Sequence, residues 1–242
     1  MTIKKKLEIV KYNKKTQNRI NLSVKDYKEY SETFTPIEIE IILSKDKYGE
    51  FININEEDKL YYHIYFNDNK EEIKNKYEIK EEDKVTKIKI RIDYQVKSFN
   101  GLFYKFYKCE CIESINFKKF YRNNIIDMSH MFNGCSSLKV LNLFNFNTNK
   151  VTNMSGMFRG CSSLKELNLN NFNTNNVADM SGMFCGCTSL KELNLYNFNT
   201  NKVTDMGCMF KGCSSLKELN LNNFNTNNVT NMSGMFRGCS DD

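Results

Sequence analysis

Apolar and polar positions along the second half of this chain recur every 26 residues. The phrase MSHMFNGCSSLKVLNLFNFNTNKVTN around Cys135 returns at Cys161, Cys187, Cys213 and Cys239, with no insertion between copies. Within 151–176, Leu164, Leu167 and Leu169 are followed by Phe172, and around the last two leucines Glu166, Asn168 and Asn170 alternate with them. That alternation predicts a strand with its leucines turned inward and its polar residues outward. The other half of the copy, VTNMSGMFRGC, carries Val151, Met154, Met157 and Phe158 at spacings of three and four. Such spacing predicts one face of a short helix or 3-10 turn, opened by Thr152 or Asn153 and stopped by Gly160. A fixed period of this size marks coils that bury their apolar faces only by stacking, as in a solenoid.

The pattern extends backwards. Subtracting the period takes Val151 to Ile125 and then Phe99, Met128 to Leu102, Phe132 to Phe106 and Cys135 to Cys109. Likewise Leu138, Leu141, Leu143 and Phe146 map to Ile112, Ile115, Phe117 and Phe120. All are apolar or Cys, so 99–124 reads as a divergent capping copy. Residues 1–98 hold no copy. There, Ile37, Ile39 and Ile41 alternate with Glu38 and Glu40, and Ile88, Ile90 and Ile92 with Lys89 and Arg91, which predicts half-buried strands. KYGE around Gly49 reads as a turn, FININ and LYYHIYF as strands beside it, and the charged stretch 70–84 as a short helix or solvated loop. The expected organisation is a small β-rich or α+β domain over 1–98 and repeats over 99–242, joined by the strand 88–92 pairing onto the first copy.

Composition narrows the function. Hydrophobic residues at 40% and charged residues at 26% suit a packed chain. The net charge of +6 comes from interspersed Lys and Glu rather than a dense basic patch, so no nucleic-acid partner is expected. No stretch approaches the roughly 18 apolar residues of a membrane-spanning helix. The opening MTIKKKLEIVKYNKK lacks the apolar core of a signal peptide. The expected location is therefore the cytoplasm, or a surface reached without a secretion signal.

The unit NVTDMSGMFxGCSSLKELNL, present here as NVADMSGMFCGCTSLKELNL, resembles the BspA-like leucine-rich repeat proteins. The resemblance covers about residues 99–240 and recurs with its spacing intact. It implies an α/β leucine-rich-repeat solenoid, with a parallel sheet on the concave face and short helices or 3-10 turns on the other side. It also implies a role like that of surface proteins that adhere to host proteins or other cells, and it supplies no catalytic residues.

The nine cysteines invite other chemistry. Five share the repeat column, Cys109 precedes them by one period, and Cys111, Cys185 and Cys208 stand outside it. An odd count concentrated in one column argues against a disulfide framework. Zinc needs four converging ligands, usually from short paired spacings, and a column of parallel thiols does not converge. These cysteines read as buried small hydrophobes, and no metal or other cofactor is expected. Cys185 replaces Arg159 and Lys211 of other copies and so reads as exposed, and Cys208 replaces Gly156 and Gly182; each reads as a reactive thiol or as simple drift. His130 shares that glycine column, and His63 lies in an apolar strand pattern. No GxSxG, phosphate loop or HExxH gives either a catalytic setting.

The outward strand positions are the binding candidates. They form columns: Val140, Glu166, Glu192, Glu218; Asn142, Asn168, Asn194, Asn220; and Phe144, Asn170, Tyr196, Asn222. The next column, Asn145, Asn171, Asn197 and Asn223, is all Asn and reads either as a stabilising ladder or as a contact surface. Phe144 and Tyr196 read as anchors for a protein ligand. The expected function is a non-enzymatic protein–protein interaction module, of a surface or adhesion type. The rival is an intracellular scaffold or a self-associating structural protein. The pattern stops near Cys239 and leaves the strand edge at 219–221 open, so end-to-end self-association is expected unless 229–239 acts as a cap. A third reading places an enzyme in the first hundred residues, with the repeats as its targeting module.

Overall fold

The computed structural model describes residues 34–104, 110–120 and 124–239. Its one large sheet is mixed and five-stranded, in the order β3-β5-β1-β6-β7. The strands are β1 (Ile37–Leu43), β3 (Tyr62–Phe66), β5 (Lys87–Ile92), β6 (Ile112–Lys119) and β7 (Val140–Asn142). Two short strands, β2 (Gly49–Glu50) and β4 (Glu78–Ile79), pair separately, and 3-10 turns cover Glu56–Tyr61 and Glu81–Asp83. FININ forms no strand; its Phe51 and Ile52 are buried without one.

The alternating isoleucines of β1 and β5 face the core, with Ile39 opposite Ile90 and Ile41 opposite Ile88. The strand that meets the first copy is β1, not 88–92. It pairs antiparallel with β6, while β6 pairs parallel with β7. Since β6 belongs to the first copy, one sheet spans both regions. A single buried core runs through residues 37 to 235.

The α/β leucine-rich-repeat solenoid with a parallel sheet on a concave face does not form. The described residues hold a mixed sheet and almost no helix, and 124–239 contains turns and isolated bridges apart from β7. The reason lies in two backbone devices. Gly156 and Gly160 sit at φ of 57° and 72°, the left-handed region that glycine enters without steric cost. A left-handed residue reverses the direction of the following peptide, so the N–H groups cannot all run along one axis as a helix requires. Met157, Arg159 and Cys161 donate within the copy, to Met154, Gly156 and Phe158, at 3.1–3.2 Å. Met154, Gly156, Phe158 and Gly160 donate to the next copy, to Asp179, Ser181, Met183 and Cys185, at 2.7–3.0 Å. On the strand side, Asn168 Oδ1 accepts the N–H of Asn170 at 3.0 Å, which turns the chain just after Leu167. Asn194 and Asn220 do the same one and two copies on.

Side chains complete the stack in columns. Phe103, Phe132, Phe158, Phe184, Phe210 and Phe236 stack nearly parallel, with centroids 5.6–5.7 Å apart. Buried Thr174 accepts the N–H of Asn199 at 2.7 Å and donates to its carbonyl at 2.9 Å. Thr148 and Thr200 repeat this with Asn173 and Asn225. Each hydroxyl thus replaces a missing pair of backbone bonds between copies.

The first copy breaks the period. Phe103, not Phe106, stacks on Phe132, and Phe99 donates to Asp127 as Met128 does to Asn153. The thiol of Cys135 reaches back 32 residues to Phe103, against 29 for Cys161 to Phe132, so three extra residues enter there. On the strand side the offset returns to 26, with Ser114 paired to Val140. Met128 therefore lies over Phe99 rather than Leu102. Phe106 and Cys109 lie outside the described residues.

Thr174→Val leaves the N–H and carbonyl of Asn199 without their partner, and is expected to cost about 2–3 kcal/mol. Thr226→Val, at the exposed end of the column, should cost under about 0.5 kcal/mol. Urea unfolding midpoints compare the two directly; equal effects would show that the hydroxyl ladder does not hold the copies together.

Candidate functional site

The outward strand residues are held on the surface by the turns beneath them. Phe144 and Tyr196 are 73% and 71% exposed. The Phe144 N–H donates to Asn142 Oδ1 at 3.0 Å, and its carbonyl accepts from Asn171 of the next copy. The Tyr196 N–H donates to Asn194 Oδ1 at 3.1 Å, and its carbonyl accepts from Asn223 Nδ2 at 3.2 Å. Each aromatic therefore has its backbone clamped on both sides, which lowers the entropy lost when a partner orders it.

The Asn columns do specific work. Asn142, Asn168, Asn194 and Asn220 each close a local turn through Oδ1. The all-Asn column reaches backbone carbonyls of the preceding copy rather than neighbouring amides. Asn197 Nδ2 donates to Phe172 at 2.8 Å and Asn223 Nδ2 to Phe198 at 2.8 Å.

Glu166, Glu192 and Glu218 are all exposed, and a parallel bridge sets Glu192 beside Glu218. Glu192, Asn194, Glu218 and Asn220, with Lys191 and Lys217, line an open depression of about 920 Å³. Phe144, Tyr196, Asn142, Asn168 and Glu166 lie outside its lining. The candidates thus divide into an acidic–basic depression over two copies and two aromatics outside it.

One part of this face was not legible in the repeat. Register across the sheet runs from Lys87 through Ile42 and Ser114 to Val140. Ile42 and Val140 are exposed apolar residues on a charged sheet face. The available signal was Ile42 itself, which breaks the Ile–Glu alternation of β1 at an outward position. Further along that face, Glu40 meets Lys87 at 3.1 Å and Lys118 at 3.4 Å. Burial pushes its pKa up, but the two lysines outweigh this and hold it below the usual carboxylate value. Glu40 and Lys118 border a depression of about 220 Å³, with Glu38, Tyr65, Lys89 and Arg91.

The column thiols are buried and point at backbone. Cys161, Cys187 and Cys213 donate to the carbonyls of Phe132, Phe158 and Phe184 at 3.1–3.2 Å. Burial raises the pKa of Cys187 well above normal and pushes Cys213 up to about 12, the neighbouring column thiols adding to the rise. Cys185 and Cys208 are partly exposed. His130 and Cys208 adopt left-handed φ of 54° and 55° in the glycine column. His130 Nδ1 contacts Asn133 at 3.1 Å, and His63 sits between Glu72 and Asp93 at 3.2 and 3.3 Å. Among the described residues no three His, Cys, Asp or Glu side chains gather as a metal site.

The geometry defines a repeat protein whose copies stack through turns and polar ladders, with a polar outer face carrying isolated aromatics. The family described as a Mycoplasma protein of unknown function, DUF285, matches residues 97–197 and 165–241, and the chain belongs to that family. Comparison with the curated proteins and with the solved structures finds no match. No helix among the described residues is long and apolar enough to cross a membrane.

Iodoacetamide at about pH 8 is expected to alkylate Cys185 and Cys208 in the native protein and to spare Cys187 and Cys213, since only a thiolate reacts. Peptide mapping by mass spectrometry reads this out, and native labelling of Cys213 would contradict its burial.

Proposed function

We propose that this protein is a non-enzymatic module that binds another protein through its outward strand face. Phe144 and Tyr196 act as anchors, and the Glu and Asn columns form the polar surround. The observation carrying this reading is the pairing of high exposure with a clamped backbone at both aromatics. Interfaces concentrate their energy in such residues, especially where the surround is polar. The likeness of the repeat unit to BspA-like proteins supports a ligand of the adhesion type, a host or neighbouring-cell protein.

The test is a panel of immobilised extracellular-matrix and plasma proteins probed with the wild-type protein and with a Phe144→Ala, Tyr196→Ala double variant. At least one panel member should bind the wild type, and the variant should bind it about tenfold or more weakly. The unfolding midpoint of the variant should match wild type, because both side chains are exposed. Equal binding by the two proteins would remove the aromatic anchors, and an empty panel would remove the adhesion reading.

A further inference from the structure

Two ion pairs that the sheet register favours are not made. Across β1 and β5, Glu38 stands opposite Arg91 and Glu40 opposite Lys89. Unlike charges placed directly opposite each other on one sheet face attract. Here each turns elsewhere. Glu38 meets Lys119 at 2.6 Å, and Glu40 meets Lys87 at 3.1 Å and Lys118 at 3.4 Å. Lys89 pairs with Asp68. Among the described residues, the carboxylate nearest Arg91 is Asp93, with Oδ1 at 3.8 Å, beyond hydrogen-bond distance. The other oxygen of Asp93 lies 3.3 Å from His63 Nε2.

The cause lies one strand away. Glu38 pairs with Lys119 of β6 while Ile39 pairs with Phe117, so Lys118 is an extra residue in that ladder. A regular strand would send Lys118 and Lys119 to opposite faces. The bulge brings both amines to carboxylates of the outward face. Glu38 and Glu40 are thereby engaged from the β6 side, and the β5 cations opposite them are not.

Between the two rows lies the depression of about 220 Å³. Ile39 and Ile90 contribute to its lining although their side chains are buried in the core, so their backbone forms the floor. Glu38 and Glu40 line it from β1, Lys89 and Arg91 from β5, with Lys118 and Tyr65 completing the rim. Three cations against two carboxylates leave one positive charge in excess. The Arg91 side chain is half exposed. Neither its guanidinium nor the Tyr65 hydroxyl has a hydrogen-bond partner among the described residues.

We propose that this depression binds a single carboxylate group, clamped by Arg91. The planar guanidinium offers a carboxylate two parallel N–H donors. The Tyr65 hydroxyl offers a further donor on the same rim, and Lys89 and Lys118 add charge. One excess positive charge matches a monoanion, and the two glutamates disfavour a dianion. The carboxylate belongs to a small organic acid or to a polypeptide. Phe144 and Tyr196 lie outside this lining, so the site is independent of the aromatic anchors.

The test follows the Arg91 Nε–H and Tyr65 ring resonances of the full chain by NMR, at constant pH and ionic strength. The probes are acetate, with chloride as control, and N-acetyl-diglycine with a free C-terminus, with its amide as control. Saturable shifts of both signals are expected with acetate and the free-acid peptide, and none with the controls. Tighter binding of the peptide would assign the site to polypeptide ends, and equal binding to small acids. Arg91→Gln should weaken binding about tenfold or more. Its unfolding midpoint should match wild type, because the side chain is half exposed. Lys119 lies outside the lining, yet Lys119→Gln should free Glu38 to pair with Arg91 and weaken binding about threefold. The Phe144→Ala, Tyr196→Ala variant should bind both probes as wild type does. No saturable shift with either carboxylate would overturn the proposal, as would equal shifts with the amide or undiminished affinity in Arg91→Gln.

Discussion

The stacking of this protein depends on the left-handed residues in each turn segment. By reversing the peptide at two points, they send alternate N–H groups inward to their own copy and outward to the next. A helix in the same place would direct its interior N–H groups to its own carbonyls and leave no backbone ladder between copies along this segment. Two positions meet the requirement without glycine. His130 and Cys208 adopt left-handed φ at a cost of about 1 kcal/mol or more each. A Cβ on Gly156 would lie 2.4 Å from His130 Nδ1, so the imidazole occupies space that the next copy leaves empty. A bulky residue in one copy therefore ties the next copy to glycine.

Given that backbone, each recurring polar residue answers a particular unsatisfied group. The threonines bridge copies where backbone pairing lapses, the cysteines donate to phenylalanine carbonyls, and the asparagines either close turns or reach carbonyls one copy back. A buried polar group costs far more unpaired than paired, which explains why these residue types repeat so strictly. The same economy makes the cysteine column inert: a thiol buried against a carbonyl resists ionisation.

The outer face inherits its character from those turns. Asparagines that close the turns also hold the backbone from which Phe144 and Tyr196 project, so the candidate contact residues have an anchored backbone without being buried. Because β6 belongs to both the repeats and the mixed sheet, this face continues onto β1 and β5, where charges pair among themselves. At the start of the stack, the carbonyl of Leu102 accepts the N–H of Asn53, so the strand-side region ties to the first copy there.

Much was legible in the order of residues. The period, the inward leucines and phenylalanines, the buried cysteine column, and the β1 and β5 strands all follow from spacing, because burial selects apolar side chains at fixed intervals. The short helix or 3-10 turn expected over 151–161 does not form, for a physical reason. Met154, Met157 and Phe158 have helical spacing, but the glycine between them serves a turn, and side-chain periodicity does not register the sign of φ. The parallel sheet was misread because Asn168 and its equivalents look like outward strand residues while acting as turn formers. Spacing also placed Phe106 where Phe103 stands, since three inserted residues shift one side of the first copy and not the other. The sequence by itself determined the repeat and its core, through hydrophobic burial. Only the tertiary structure decided which strand joins the two regions and which N–H groups point forward to the next copy, because those depend on peptide orientation and on contacts between residues far apart in the chain.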